Sequence, residues 1–261
     1  HLTQSMKPTR NFDDLVSIIK ILRKECPWDR KQTHESIKDN LIEEAYEAVD
    51  AIDQKDFDEL KKELGDLLLH IIFHSRMATE SGHFDIEDVI YSIQEKLIRR
   101  HPHVFGDAVA GTEQEVAENW ETIKMKEGKQ SVLDGMPVHL PALIRAQRMQ
   151  EKAANVGFDW PEWSQVWDKL EEEIAEFREA LQDGSQEKKE EEFGDVLFSL
   201  VNVGRFFDIA SEDSLRQTNR KFESRLRYIE MKLAEEGKSL VDATLEEMDI
   251  YWEEAKTVVK Q

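Results

Sequence analysis

The chain has 261 residues, 39% of them hydrophobic, including 12 Phe and 6 Trp. That is enough apolar mass for packed cores and excludes wholesale disorder. Its formal net charge of −21 argues against nucleic acid and anionic membranes as partners. One cysteine, Cys26, leaves no internal disulfide and fits a reducing compartment. No apolar run approaches about 18 residues. The expectation is a cytoplasmic protein that does not cross a membrane. Residues 1–5, HLTQS, precede Met6 and read as an expression remnant.

Apolar residues recur at helical spacing along most of the chain, and no stretch alternates with period two. Phe12, Leu15, Ile19 and Leu22 predict a first helix. Leu41, Ala45, Ala48 and Ile52 predict a second, and Leu60, Leu64, Leu67, Leu68 and Ile71 a third. Asp85 with Asp88 opens a fourth, running to about Arg100, and HPHVF at 101–105 reads as a helix end with capping histidines. Further helices are predicted near 162–182, 186–208, 212–236 and 245–259. The fold class is all-α. The segment EGKQSVLDGMPVHLP holds the densest cluster of Gly and Pro, so the linker is placed at 128–141. It separates an N-terminal domain, 6–127, from a C-terminal domain, 142–261.

The two halves repeat one pattern. Glu43, Glu44 and Glu47 recur as Glu172, Glu173 and Glu176, while Glu63 and Asp66 recur as Glu192 and Asp195, all 129 positions apart. On a helix, residues three or four apart share a face, so each group sets like charges side by side. LQDGSQEKK between Glu176 and Glu192 reads as a turn, which makes an αα-hairpin and brings both acidic pairs to one level. Acidic runs are ordinarily solvated faces. Five carboxylates kept in register twice point instead to a hard divalent cation: Glu173, Glu176, Glu192 and Asp195 in one copy, Glu44, Glu47, Glu63 and Asp66 in the other.

Basic residues flank the second acidic group. Lys169 and Lys188 each stand one turn before a carboxylate, a spacing that also suits a simple surface ion pair. Lys221 and Arg225 share one helix face, as do Trp252 and Lys256, a combination suited to a polyphosphate with a flat base on the aromatic ring. Trp252 could equally belong to a core. The internal spacing of Lys221, Phe222 and Arg225 echoes Lys96, Leu97 and Arg100, and that of Trp252, Glu253 and Lys256 echoes Trp120, Glu121 and Lys124. Applied to the neighbours of the carboxylates, the offset of 129 sets Asn40, Glu59 and Phe73 opposite Lys169, Lys188 and Asn202. The first half thus lacks two cations. His70 and His74 follow Asp66 along the same stripe, where they could add nitrogen ligands for a transition metal; packed, hydrogen-bonded histidines are the favoured reading.

The doubled EExxE and ExxD motifs, with CPWD, ELGDLL, RRHPHVF, LPAL, NVGFDW and GDVLF around them, resemble the MazG nucleoside triphosphate pyrophosphohydrolases. The resemblance covers nearly the whole chain. It implies two tandem helical domains, a homodimer whose hairpins pair as four-helix bundles, and Mg²⁺-dependent hydrolysis of NTP or dNTP to the monophosphate and pyrophosphate, with Mn²⁺ able to substitute. The implied metal ligands are Glu173, Glu176, Glu192 and Asp195. Implied nucleotide contacts are Lys169, Lys188, Lys221, Arg225, Trp252 and Lys256, with Lys124 reaching over from the first half. Glu172 is a candidate general base or outer-shell residue. The main activity is expected in the C-terminal half, with broad base specificity. Two other readings are a narrower dUTP or dCTP pyrophosphatase and a non-enzymatic nucleotide-sensing scaffold.

Overall fold

The computed structural model describes residues 7–107, 111–112, 115–116, 123 and 131–259. Among these the chain is helical without strands, and it divides into two compact units, His1–Val109 and Ala110–Gln261. The described part of the expected linker, residues 131–141, falls in the second unit.

In the first unit, α1 (Phe12–Glu25) is followed by a short 3₁₀ turn, α2 (His34–Gln54), α3 (Phe57–Glu80), α4 (Ile86–Arg100) and the single turn α5 (Pro102–Phe105). Side chains start these helices by satisfying free backbone N–H groups. Asn11 accepts from Asp13 N at 2.8 Å, Asp56 accepts from Asp58 N and Glu59 N, and Thr33/Ser36 and Asp85/Asp88 form reciprocal capping boxes. At the end of α4, His101 Nδ1–H donates to Leu97 O at 2.6 Å. The apolar stripes of α1, α2 and α3 meet in a core of Ile19, Ile37, Ile72, Phe73 and Met77. Burying each such side chain stabilises the fold by about 1.5–3 kcal/mol.

The second unit contains α6 (Ala142–Ala154), α7 (Trp163–Asp183), α8 (Gln186–Phe206), α9 (Ser211–Glu235) and α10 (Leu245–Val258). Helix α7 pairs with α8, α9 pairs with α10, and α6 packs on α8 and α9. Val166, Leu170, Ala180, Val201, Ile229, Leu233 and Ala255 form its buried apolar side chains. A bidentate pair holds the segment after α6 onto α8: Arg205 Nη1 and Nη2 donate to Asp159 Oδ2 and Oδ1 at 2.9 and 2.5 Å. Helix α6 is not among the helices predicted above, although Leu143, Ala146, Met149, Gln150 and Ala153 carry a helical period.

Each unit is built around a hairpin, α2–α3 or α7–α8, and the two turns differ in chemistry. Lys55 ends α2 in the left-handed region at φ 57°. Gly184, 129 residues on, is extended, and a Cβ there would lie 2.6 Å from Ala180 O. Lysine is strained by its backbone; glycine is needed for the close approach.

Candidate active site

In the second unit, α7 presents Glu173 and Glu176 and α8 presents Glu192. One carboxylate oxygen from each lies within 4.8 Å of the others. Glu173 and Glu192 are buried and Glu176 is exposed. In the first unit the group is Glu44 of α2 with Glu63 and Asp66 of α3, again within 4.8 Å. The hairpins therefore do bring both acidic groups to one level. Asp195 and Glu47 stay outside these trios, yet close enough for their charges to raise the pKa of Glu192 and of Glu44 and Glu63. Glu43 and Glu172, the first acid of each motif, are exposed.

Burial, together with the like charges around it, raises the pKa of at least one carboxylate in each group. Burial is the main reason that Glu63 is pushed up to about 7; a hydrogen bond with Glu59 and the charges of Glu47, Glu59 and Glu44 add to it. Burial likewise raises Glu192 and Glu44 above the ordinary carboxylate value. Trios of converging carboxylate oxygens fit a hard divalent cation such as Mg²⁺ or Mn²⁺.

The flanking cations differ between the copies. Lys169 Nζ lies 2.7 Å from Glu172 Oε1 and 2.8 Å from Glu173 Oε1, and these hydrogen bonds hold its pKa well above the usual lysine value. Lys188 Nζ lies 4.0 Å from Glu192 Oε1. In the first copy, Glu59 replaces Lys188 and is itself held by Lys62.

Lys221 and Arg225 lie on α9, and Trp252 and Lys256 on α10. Arg225 sits over the Trp252 ring, 5.3 Å from its centroid, and Phe222 packs against the same ring at 5.4 Å. Lys256 pairs with Glu253. Trp252 is thus a half-buried packing residue as well as a candidate binding surface. No ion pair or hydrogen bond joins these four side chains to the α7–α8 carboxylates among the described residues; α9 touches α8, while α10 packs on α9. Trp120, Glu121 and Lys124 lie outside the described residues.

His74 stacks on His34, ring centroids 5.0 Å apart, with Nδ1 to Nδ1 at 2.7 Å, and His70 tilts against His74 at 6.2 Å. No histidine joins either acidic trio among the described residues. His34, forty residues from His74, carries no signal in the sequence that would pair the two.

Residues 32–105 and 164–229 both match the MazG nucleotide pyrophosphohydrolase domain. The chain belongs to the MazG family. It is 47% identical over 250 residues to a protein of Thermotoga maritima named nucleoside triphosphate pyrophosphohydrolase/pyrophosphatase MazG, covering 94% of this chain and 95% of that one. An Escherichia coli K12 protein named nucleoside triphosphate pyrophosphohydrolase is 45% identical over 256 residues, 94% and 97% of the two chains. The uncharacterized protein YabN of Bacillus subtilis is 48% identical over 251 residues, 94% of this chain but 51% of its own. The second MazG match holds all five C-terminal carboxylates with Lys169, Lys188, Lys221 and Arg225, and it ends before Trp252 and Lys256. Helix α6 lies in neither match.

Proposed function

We propose that this chain hydrolyses nucleoside triphosphates to the monophosphate and pyrophosphate, with a divalent cation and mainly at the α7–α8 hairpin. The observation that carries this reading is the converging trio of Glu173, Glu176 and Glu192 with Lys169 and Lys188 against it. The similar proteins of Thermotoga maritima and Escherichia coli, named for this activity, support it.

Glu173, Glu176 and Glu192 would hold the cation, with Asp195 completing the set from one turn along α8. Mg²⁺ bound there supplies electrostatic neutralisation of the phosphates as the anhydride breaks. Glu172, exposed beside the trio, accepts the proton of the attacking water. The water oxygen bonds to the α-phosphorus, and the bond from that phosphorus to the α–β bridging oxygen breaks. Pyrophosphate leaves with the electron pair. Lys169, hydrogen-bonded to Glu172 and Glu173, orients both, and Lys188 faces the incoming phosphates. Lys221, Arg225 and Lys256 supply positive charge from α9 and α10.

A second copy of the chain is the occupant we assign to the outer faces of the hairpins. Leu64 and Ile71 are 54% and 46% exposed, and Phe193 and Leu200, at the same positions 129 residues on, are 50% and 52% exposed. Seven-residue spacing on one helix is the pattern of a bundle seam.

The deciding experiment measures pyrophosphate and monophosphate release from all eight NTPs and dNTPs and from dUTP, with Mg²⁺, with Mn²⁺ and with EDTA. Turnover of several bases that stops in EDTA supports the reading. Turnover confined to dUTP or dCTP favours the narrower enzyme, and no turnover favours the nucleotide-sensing scaffold. Among the described residues no helix is long and apolar enough to cross a membrane.

A further inference from the structure

The second unit holds a cavity of about 490 Å³ between α6, α8 and the segment after α6. Its wall includes Leu133, Gln150, Phe158, Trp160, Asn202 and Arg205. A volume of this size, apolar with a few polar groups, is that of a small-molecule site. Phe158 and Trp160 stand well exposed at its edge, and flat rings of this kind suit stacking by a planar heterocycle.

The polar groups are fixed in orientation. Gln150 is 7% exposed, and its Nε2 donates to Phe198 O at 2.9 Å. A carbonyl accepts only, so the amide cannot be turned round, and Gln150 Oε1 is left as a buried acceptor with no partner. Such an atom carries a desolvation cost unless a donor reaches it. Asn202 is fixed in the same way: its Oδ1 accepts from Arg205 Nε at 2.9 Å, and Arg205 is clamped by Asp159. The Nδ2 group of Asn202 therefore remains as a donor.

We propose that this cavity, rather than the Trp252 ring that Phe222 and Arg225 already cover, seats the base of the nucleotide, with Gln150 Oε1 accepting from a base N–H and Asn202 Nδ2 donating to a neighbouring ring nitrogen or carbonyl. The inference rests on the nucleotide reading given above and adds residues to it. Asp195 and Asn202 lie seven residues apart on one stripe of α8, about 10 Å along the axis. That separation suits a ribose and base extending from a phosphate held at the carboxylates. The first unit has no such pair. At the positions 129 residues earlier stand Ile21 and Phe73, and Phe73 is buried in the core of that unit. Gln150, Phe158 and Trp160 also lie outside the segments that match the family domain.

The test compares full-length protein with Gln150→Met and Trp160→Leu, the second at a partly exposed position, with circular dichroism showing that each variant keeps its helical fold. KM and kcat are measured with Mg²⁺ on ATP, CTP, GTP and UTP and on ribose 5-triphosphate, which has no base. Each variant is expected to raise KM for base-bearing substrates about tenfold, to reorder the four bases, and to leave KM for ribose 5-triphosphate as it was. Unchanged KM for all four nucleotides, or an equal rise for ribose 5-triphosphate, overturns the assignment. If the parent protein releases no pyrophosphate at all, the reaction reading fails separately. Calorimetric titration with adenosine and cytidine then decides the cavity: binding that both variants lose supports it, and absent or unaltered binding overturns it.

Discussion

Lys188 Nζ lies 4.0 Å from Glu192 Oε1, one turn back along α8. The first hairpin has no counterpart, because Glu59 occupies that position and is hydrogen-bonded to Glu63. The second hairpin thus offers a cation to an incoming polyphosphate where the first offers another carboxylate. A charge-assisted hydrogen bond to phosphate is worth about 1.5–3 kcal/mol, or roughly tenfold to a hundredfold in binding. Lys188→Glu is expected to raise KM for NTP by about that factor, and Glu173→Gln/Glu176→Gln to abolish turnover. Glu44→Gln/Glu47→Gln should leave most turnover in place. Steady-state kinetics on the full-length chain decide it, and loss of NTP hydrolysis in the last variant alone would reverse the roles of the two copies.

Glu63 gives the first copy a pH signature. Its folded-state pKa, about 7, lies above the ordinary 4.5, so the folded state binds the proton more tightly than the unfolded chain. For a raised carboxylate the stability contribution is fully present below 4.5 and is lost as pH rises through about 7. In EDTA, the melting temperature should therefore fall across that window, and the fall should be smaller in Glu63→Gln, where only the raised Glu44 and Glu192 remain. Divalent cation must displace the proton, so its affinity for this trio should weaken as pH drops below about 7. Calorimetry in buffers of different ionisation enthalpy reads the released proton directly. A flat melting profile in the parent protein would refute the charge strain inferred for Glu63.

The hairpin turns supply a stability test away from the chemistry. Gly184→Ala places a methyl 2.6 Å from the backbone oxygen of Ala180 and is expected to destabilise by about 1–3 kcal/mol. Lys55→Gly relieves a left-handed lysine at φ 57° and should be neutral or stabilising by up to about 1 kcal/mol. Urea denaturation measures both. Equal effects at the two sites would mean that the turns are not strained in the way their backbones indicate.

How far the sequence reveals this molecule depends on sequence distance and side-chain direction. Helical period and capping residues locate α7 to α10 within one or two residues of Trp163–Asp183, Gln186–Phe206, Ser211–Glu235 and Leu245–Val258. The offset of 129 likewise reveals both carboxylate groups, because each is carried by one hairpin. It does not reveal that Asp195 and Glu47 stand outside the trios, which depends on rotamers rather than spacing. Helix α6 escapes because its short amphipathic run follows a stretch rich in Gly and Pro. Gln150 escapes with it, although it is one of the most buried polar side chains of the second unit. The stack of His34 on His74 joins two helices through a long-range contact that no local pattern encodes.

Leu200 and Phe193 present the last prediction. Both are about half exposed on α8 at a spacing of seven, and Leu64 and Ile71 repeat the arrangement on α3. A lone hairpin with such a stripe leaves apolar surface in water, and covering the exposed half of each side chain with a second copy contributes about 1 kcal/mol. The parent chain is therefore expected to sediment as a dimer. Leu200→Lys, which adds a charge to the seam without touching a carboxylate, should shift it to monomer at micromolar concentration, with helicity by circular dichroism unchanged. Adding Phe193→Lys should complete the shift. A parent chain that remains monomeric at high concentration would sink the dimer, whereas a dimer unaffected by both substitutions would place the interface elsewhere. Turnover recorded on the same samples tells whether pairing is required for the hairpin carboxylates to work.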